Sequence, residues 1–147
     1  MNASMEIRPF SLKDEQAVVA IWQKCALVRP WNDPHADIQR KLKVNPELFL
    51  VGVTDGKIVA AVMGGYEGHR GWINYLAVDP AYQRKGYGRQ IMAEIEKQLL
   101  ALGCPKINLQ VRTGNGSALE FYARIGYKND NAISLGKLLI PDAAKQE

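Results

Sequence analysis

A basic, glycine-rich turn limits what this chain can fold into more than any other feature of its sequence. The turn follows an apolar segment, residues 72–78, and precedes a long amphipathic helix, and residues 83–93 contain no acidic side chain. Its glycines and cations are Gly86, Gly88, Arg84, Lys85 and Arg89. Glycine lets a ligand come close to the backbone, and the unpaired N–H groups at the start of a helix bind anions. The turn therefore predicts a phosphate or pyrophosphate site, although a solvated basic face would have the same composition.

Two common nucleotide-binding motifs do not fit this turn. The dinucleotide fingerprint G-x-G-x-x-G fails at Ile91, and a Walker A loop needs Gly-Lys followed by Ser or Thr. A nucleic-acid-binding surface also fits poorly, because its basic residues would spread over a broad face. The chain carries a net charge of +4, and its cations gather at this one turn. We therefore expect a small anionic ligand and no nucleic acid.

The composition indicates one globular domain over residues 1–147. The chain is 47% hydrophobic and 23% charged, both ordinary values, and its length suits a single core. It shows neither a bilayer-spanning apolar stretch nor a secretory leader, so we expect a cytoplasmic protein without a membrane partner. Cys25 and Cys104 lie far apart, and His35 and His69 lack metal-ligand spacing. We interpret both thiols as structural and expect no metal.

The periodicity of apolar residues predicts the element order β-α-α-β-β-β-α-β-α-β. The predicted strands cover residues 6–10, 48–53, 58–63, 72–78, 106–111 and 133–140. The predicted helices follow Ser11 and Asp33, run from near Gly86 to Gly103, and cover residues 117–125. Asp55-Gly56 is a strong hairpin signal, and the glycines of residues 64–71 predict a second turn. A mixed α/β sheet with helices on both faces follows from this order.

Two segments together resemble the GCN5-related N-acetyltransferase (GNAT) superfamily. The first is Leu76-Ala77-Val78-Asp79-Pro80-x-Tyr82-Gln83-Arg84-Lys85-Gly86-x-Gly88, which looks like the family's acyl-CoA-binding motif. The second is Asn115-x-x-Ala118-x-x-Phe121-Tyr122-x-x-x-Gly126-Tyr127, which resembles its second block at the usual distance. The element order matches the family fold from about Met5 to Ile140. Within the family, the chain is similar to a little-characterised subgroup of small bacterial members, so the resemblance brings no substrate.

The resemblance implies a site for acetyl-CoA, the acetyl donor, and direct transfer to an amine in a ternary complex. The backbone of Leu76, Ala77 and Val78 would pair with the pantetheine arm as an added strand does. Backbone N–H groups of residues 83–88 would hold the pyrophosphate. The further residues implied at this site are Gln83, Arg84, Lys85, Gly86, Tyr87, Gly88 and Arg89, with the cations near the ribose phosphate.

The second block implies a catalytic role for Tyr122. Asn115, Ala118 and Tyr122 lie at i, i+3 and i+7, on one face of a helix. Asn115 would hydrogen-bond the pantetheine, and the small Ala118 leaves room for it. Tyr122 matches the family position whose hydroxyl protonates the departing CoA thiolate, a step that eases breaking of the thioester. The alternative for Tyr122 is an aromatic core anchor, and an amphipathic side chain serves both roles.

The sequence offers several candidates for the base that deprotonates the acceptor amine. Some ribosomal-protein N-terminal acetyltransferases of the family carry Glu in the matching strand, where this chain has Gln110, which cannot take a proton. Glu67 is our first candidate, and a base acting through one water is an alternative. The remaining candidates are His69, Asp33 and His35.

The acceptor side is predicted from two segments, around residues 29–34 and 63–71. Trp31 and Trp72 are candidate walls, although tryptophans are more often core anchors. Tyr66 and Arg70 are candidates for contacting an acceptor carboxylate. The predicted substrate-binding residues are Trp31, Asp33, Tyr66, His69 and Gln110.

Two functions from different classes are compatible with these motifs. The first is an acetyl-CoA-dependent N-acetyltransferase acting on a primary amine of a small molecule or of a peptide or protein N-terminus. The second is a GNAT-fold acyl-CoA sensor with little catalysis, which Gln110 favours and the intact Asn115 and Tyr122 disfavour. Many family members dimerise, so the resemblance also implies a homodimer.

Overall fold

A five-stranded mixed sheet forms the centre of the molecule in a computed structural model that describes residues 4–142. The strands are β1 (Glu6–Pro9), β2 (Phe49–Thr54), β3 (Lys57–Tyr66), β4 (Gly71–Val78) and β5 (Ile107–Leu109). They lie in the order of the chain, and neighbours are antiparallel except for the parallel pair β4 and β5. The helices are α1 (Glu15–Lys24), α2 (Pro34–Lys41), α3 (Tyr87–Ala101) and α4 (Gly116–Arg124). The predicted mixed α/β class is confirmed.

The hairpin between β2 and β3 forms where local chemistry predicts it. Thr54 pairs with Lys57, and the two turn residues Asp55 and Gly56 have φ angles of 52° and 73°. Positive φ at both central residues is the type I′ geometry, whose twist matches that of the flanking strands. The signal in residues 55 and 56 is thus sufficient to set this register.

Helices cover both faces of the sheet and enclose two hydrophobic clusters. On one face α1 and α2 bury Trp22, Ile38 and Phe49. On the other face α3 lays the buried stripe Ile91, Met92, Ile95 and Leu99 against β2, β3 and β4. Leu102, which continues the same spacing, is 52% exposed because α3 ends at Ala101.

The predicted glycine turn after residue 63 is shorter than expected, because β3 continues to Tyr66. A Cβ on Gly64 would lie 2.7 Å from Ile95 Cδ1, and one on Gly71 would lie 2.8 Å from Cys104 Sγ. These glycines therefore allow α3 and the start of β5 to pack closely on the sheet. Only residues 67–70 form the turn itself.

The predicted last strand, residues 133–140, is wrong: this segment has no strand structure. Its five large apolar side chains are 76–91% exposed, so no sheet face covers them. Those residues are Ile133, Leu135, Leu138, Leu139 and Ile140. Side-chain contacts instead hold this part of the chain: Lys106 Nζ lies 2.9 Å from Asp130 Oδ1, and Gln110 donates to Ser134. Apolar alternation predicts a strand only where a neighbouring strand completes its backbone hydrogen bonds.

None of the helices in residues 4–142 is long and apolar enough to cross a membrane.

Candidate active site

The parallel strands β4 and β5 separate along their length and leave an opening between them. They pair only through Gly71 with Ile107, Trp72 with Asn108 and Ile73 with Leu109. Past Ile73, β4 continues for five residues to Val78 without a strand partner on this side in the described chain. An unpaired strand edge of this kind accepts an extended ligand by backbone hydrogen bonding.

A bulge in β4 lies at the point where the two strands separate. Asn74 pairs with Met63 and Ala77 with Ala61, so β4 carries one extra residue, and Tyr75 has a φ angle of 56°. Tyr75 consequently turns to the α1 face, where its ring stacks on that of Trp22 with centroids 3.9 Å apart. A bulge bends a strand and redirects its side chains.

Beyond the bulge, the three residues predicted to line the donor site alternate across the sheet. Leu76 and Val78 pack in the cluster on the α3 and α4 face. Ala77 is buried on the opposite face, in the cluster formed with α1. The edge of β4 beside the opening thus consists of a short apolar run.

The basic turn lies at the carboxyl end of β4 and leads directly into α3. Gly86 caps the helix with a φ angle of 84°, and Arg84 also takes a positive φ, 66°. The first turn of α3 contains no acidic residue, so the positive end of its dipole is uncompensated. A Cβ on Gly88 would lie 3.2 Å from Phe121 Cζ and 3.6 Å from Val78 Cγ2. Gly88 therefore lets α3, α4 and β4 meet closely.

The three cations of the turn are available to an anion. Arg84, Lys85 and Arg89 are exposed, and within residues 4–142 none of them forms an ion pair. Gln83 has a structural contact, since its Nε2 donates to the Val78 carbonyl at 2.9 Å. The backbone N–H groups of this turn and its cations are the groups that suit a pyrophosphate.

Tyr122 lies on α4, and its side chain is half-buried beside the opening. It packs in one cluster with Leu76 and Leu109, which lie on either side of the opening, and its ring meets Tyr127 edge-on at 5.7 Å. Across the described part of the chain, the hydroxyl has no hydrogen-bond partner. Burial raises the pKa of Tyr122 to about 12, so the hydroxyl keeps its proton at neutral pH.

Asn115 and Ala118 lie at the start of α4. Asn115 is the N-cap of the helix, and its Oδ1 accepts hydrogen bonds from the Ala118 N–H at 3.2 Å and from Ser117 Oγ at 3.2 Å. The side-chain oxygen is therefore engaged in capping, and the amide nitrogen is the group left to contact a ligand. Ala118 is half-buried.

The loop between α1 and α2 reaches the β4 bulge through a chain of polar contacts. Asn32 Nδ2 donates to the Tyr75 hydroxyl at 2.7 Å, and that hydroxyl donates to Asp37 Oδ2 at 2.5 Å. Burial and the Asp37 carboxylate raise the pKa of Tyr75. The sequence analysis did not predict this hydrogen-bonded group of Asn32, Tyr75 and Asp37. The one sequence feature that pointed to it is that Asn74 and Tyr75 interrupt an otherwise apolar strand.

The predicted residues of this loop have structural partners. Trp31 is 64% exposed, and its ring lies 5.2 Å from the guanidinium carbon of Arg112. Asp33 caps α2, accepting the His35 N–H at 2.9 Å. His35 Nδ1 lies 2.6 Å from Glu15 Oε2. The loop and the segment after β5 therefore meet at the mouth of the opening.

The other predicted group lies at the paired end of β4 and β5, away from the basic turn. Glu67 closes the β3–β4 turn, where its Oε1 accepts from the backbone of His69 and, at 3.3 Å, of Arg70. The His69 N–H leads the contacts that lower the pKa of Glu67, which makes it a weaker base. The Tyr66 hydroxyl lies 3.3 Å from the Gly68 carbonyl. No contact in residues 4–142 joins this turn to Tyr122 or to the α1–α2 loop.

Gln110 and the two cysteines complete the predicted set. Gln110 lies just past β5 and is exposed, with its Nε2 donating to Ser134 Oγ. Both cysteines are unpaired, and Cys25 Sγ lies 3.3 Å from the Val78 carbonyl. No group of three potential metal ligands occurs in the residues that the structure describes.

The unpaired β4 edge, the bulge where two parallel strands separate and the basic turn at a helix start are features that suit an extended anionic ligand. The family model described as Acetyltransferase (GNAT) family matches residues 16–127, and the chain belongs to this family. An acetyltransferase from Yersinia pseudotuberculosis is 48% identical over 138 residues, which are 94% of this chain and 98% of that protein.

Solved structures agree with this assignment. A ribosomal-protein alanine N-acetyltransferase from Escherichia coli superposes with a TM-score of 0.70 at 25% identity, covering 84% of this chain and 77% of that one. An aminoglycoside N-acetyltransferase in complex with CoA has a TM-score of 0.75 at 13% identity, covering 94% and 97%, and this likeness concerns the fold alone. The protein is thus an acetyltransferase by family.

Proposed function

We propose that the protein transfers the acetyl group of acetyl-CoA to a primary amine of a small molecule or of a peptide or protein N-terminus. The observation that carries the proposal is the unpartnered hydroxyl of the half-buried Tyr122, whose side chain packs in one cluster with residues from both sides of the opening. A protonated hydroxyl there is the group that departure of a thiolate requires. The ribosomal-protein alanine N-acetyltransferase among the similar structures supports an amine as the acceptor.

The donor fits the residues around the opening. The β4 edge past Ile73 offers backbone groups to a pantetheine arm, and the turn at residues 83–88 offers N–H groups to a pyrophosphate. Arg84, Lys85 and Arg89 supply positive charge beside it. When bound, acetyl-CoA supplies an activated acetyl group as a thioester.

The reaction is a direct transfer between two bound substrates. The acceptor ammonium first gives up a proton, because only the neutral amine has a lone pair. Its nitrogen then forms a bond to the acetyl carbon, and the carbon–sulfur bond breaks with its electron pair going to sulfur. Tyr122 donates its proton to that sulfur, and the second proton of the nitrogen passes through solvent and restores the Tyr122 hydroxyl. The products are an acetamide, CoA thiol and the proton released from the ammonium.

The proton acceptor for the ammonium is the open part of this mechanism. Glu67, the first candidate from the sequence, lies at the β3–β4 turn and would act only through intervening water, and Asp33 and His35 at the start of α2 are the alternatives. A pH–rate profile of Glu67→Gln tests the first candidate. If Glu67 is the base, the variant loses the acidic limb of the profile. An acidic limb that persists unchanged removes Glu67 from this role.

The experiment that tests the proposed function measures release of CoA thiol from acetyl-CoA with a panel of amines, amino acids and peptides. We expect release that depends on the acceptor and an acetylated acceptor detectable by mass spectrometry. The alternative function is an acyl-CoA sensor, which Gln110 favours because it replaces a side chain that can take a proton. Tight acetyl-CoA binding without release for any acceptor between pH 6 and 9 would support the sensor and overturn the enzyme.

A further inference from the structure

Two arginines lie at the mouth of the opening, one on each side. Arg29 lies in the middle of the α1–α2 loop, which reaches the β4 bulge through Asn32. Arg112 follows β5, and its guanidinium lies over the ring of Trp31, 5.2 Å from the centroid. The loop is closed on itself, since the Arg29 N–H donates to Asn32 Oδ1 at 2.9 Å and the Asn32 N–H donates to the Arg29 carbonyl at 3.2 Å.

Arg29 is a half-buried cation without an acidic partner in residues 4–142. Its Nε is inaccessible to solvent and has no hydrogen-bond partner, and no carboxylate of these residues lies within ion-pair distance. A buried donor without an acceptor is unfavourable. The position thus favours an anion supplied from outside the protein.

The acids nearest to this loop are already engaged with other groups. Asp37 accepts from Tyr75 and pairs with Arg40 Nη2 at 2.6 Å. Asp142 pairs with the same Arg40 nitrogen at 3.0 Å and accepts the Asp33 N–H at 2.6 Å. Arg40 is therefore neutralised on both sides, whereas the charges of Arg29 and Arg112 are not.

We propose that Arg29, together with Arg112, binds a carboxylate of the acceptor. The inference rests on the proposed function and narrows it: the acceptor is an amino acid or short peptide that carries its amine and a carboxylate in one small molecule. A guanidinium binds a carboxylate through two parallel hydrogen bonds, which orients as well as attracts the ligand. Arg70, the sequence-based candidate for this contact, lies at the distant β3–β4 turn and donates to the His69 carbonyl at 2.9 Å.

The test compares each amino acid with its own carboxamide in the CoA-release assay. Rates are compared at equal concentrations of neutral amine, because amidation lowers the pKa of the amine. We expect the native protein to prefer the carboxylate by tenfold or more in kcat/KM, mainly through KM. That factor corresponds to one charged hydrogen-bonded contact.

Variants assign the preference to the two arginines. Arg29→Gln should raise KM for the amino acid at least tenfold and leave KM for the amide within about twofold, with CoA affinity unchanged. Arg112→Gln should act in the same direction and less strongly, because Arg112 is exposed. Lys43→Gln is the matched control: it removes the same charge from an exposed position, and it should change neither KM. If Arg29→Gln fails to fold, Arg29→Lys replaces it in the test. This variant keeps the charge and should retain part of the preference for the carboxylate.

The outcomes separate this inference from the function on which it rests. Equal use of acid and amide by the native protein, with release of CoA, overturns the carboxylate site and leaves acetyl transfer intact. A preference that stays undiminished in Arg112→Gln and in a folded Arg29 variant also overturns it. Release from no acceptor overturns the proposed function, and the inference with it.

Discussion

Three tyrosines of this protein have a raised pKa, and the cause differs in a way that bears on catalysis. Tyr75 and Tyr127 are buried and also donate to carboxylates, Asp37 and Glu96, the latter at 2.6 Å. The pKa of Tyr122 is raised to about 12 by burial alone. A hydroxyl already committed to a carboxylate stabilises the structure, whereas an uncommitted one has its proton available to a substrate.

The first prediction concerns Tyr122. Tyr122→Phe should lower kcat by about a hundredfold, in the range that a general acid contributes, and leave the Kd for CoA within about twofold. Steady-state kinetics and calorimetric titration with CoA measure the two quantities. Tyr127→Phe is the matched control, which should lower stability through loss of the Glu96 contact and leave kcat within a few fold. Unchanged turnover in Tyr122→Phe would exclude Tyr122 from the mechanism.

Asp14 allows a second prediction, on pH and stability. Asp14 accepts two hydrogen bonds from the Arg8 guanidinium, at 2.8 and 3.0 Å, and one from the Ser11 N–H at 2.9 Å. The contact with Arg8 is the main cause that lowers the pKa of Asp14 below its ordinary 3.8. A carboxyl whose pKa is lower in the folded state stabilises the fold above its unfolded pKa, and this contribution disappears as the pH falls through the folded value.

We therefore expect Asp14→Asn to lower the free energy of unfolding at pH 7 by about 1–2 kcal/mol, a modest value because Arg8 is partly exposed. The difference from the native protein should shrink as the pH falls below 3.8. Urea unfolding at pH 7, 5 and 3 measures both effects. Asp55→Asn in the exposed hairpin removes the same charge and should show neither. A difference that stays constant down to pH 3 would contradict the role of the ionised carboxylate.

At the scale of elements, local chemistry predicts what depends on local chemistry. The Asp55-Gly56 turn and the start of α2 after its Asp33 cap each follow from adjacent residues, and each is confirmed. The end of β3 does not follow from adjacent residues. Gly64 allows α3 to pack closely on the strand, and sequence spacing cannot distinguish such a glycine from one in a turn. The last strand fails for the same reason: its pairing depends on a partner strand and not on its own alternation.

The two adjacent glycines of β3 give a third prediction. A Cβ at residue 64 would lie 2.7 Å from two carbons of the fully buried Ile95, whereas one at residue 65 would lie 3.7 Å from Lys41 Nζ, an ordinary contact. Gly64→Ala should therefore lower the free energy of unfolding by about 1–3 kcal/mol, as overpacking a core does. Gly65→Ala should change it by less than about 0.5 kcal/mol. Equal effects in thermal or urea unfolding would show that strand propensity, and not contact with α3, decides these positions.

At the scale of the whole molecule, the two ends of the opening differ in how far they could be predicted. The proposed donor end is contiguous in sequence, residues 76–89, so its charge and glycines indicate its chemistry directly. The proposed acceptor end draws on three separate segments, the α1–α2 loop, the β4 bulge and the chain after β5, which supply Arg29, Asn32, Tyr75 and Arg112. The bulge depends on a left-handed tyrosine that no sequence pattern specifies.

This difference leads to a last prediction, on the distribution of charge. If the cations at the donor end bind the anionic groups of CoA, Arg84→Gln with Lys85→Gln should raise the Kd for CoA about tenfold at low salt, since an exposed ion pair contributes about 0.2–1 kcal/mol. This loss of CoA affinity should shrink toward 0.5 M salt, because screening then limits electrostatic attraction to a few ångströms. Lys13→Gln with Lys43→Gln makes the same change in net charge on the α1 and α2 side and should alter the Kd by less than twofold. Calorimetric titration with CoA at two salt concentrations measures the four Kd values of the two double variants. Equal losses in the two double variants would mean that CoA responds to the overall charge of +4 and not to the turn before α3.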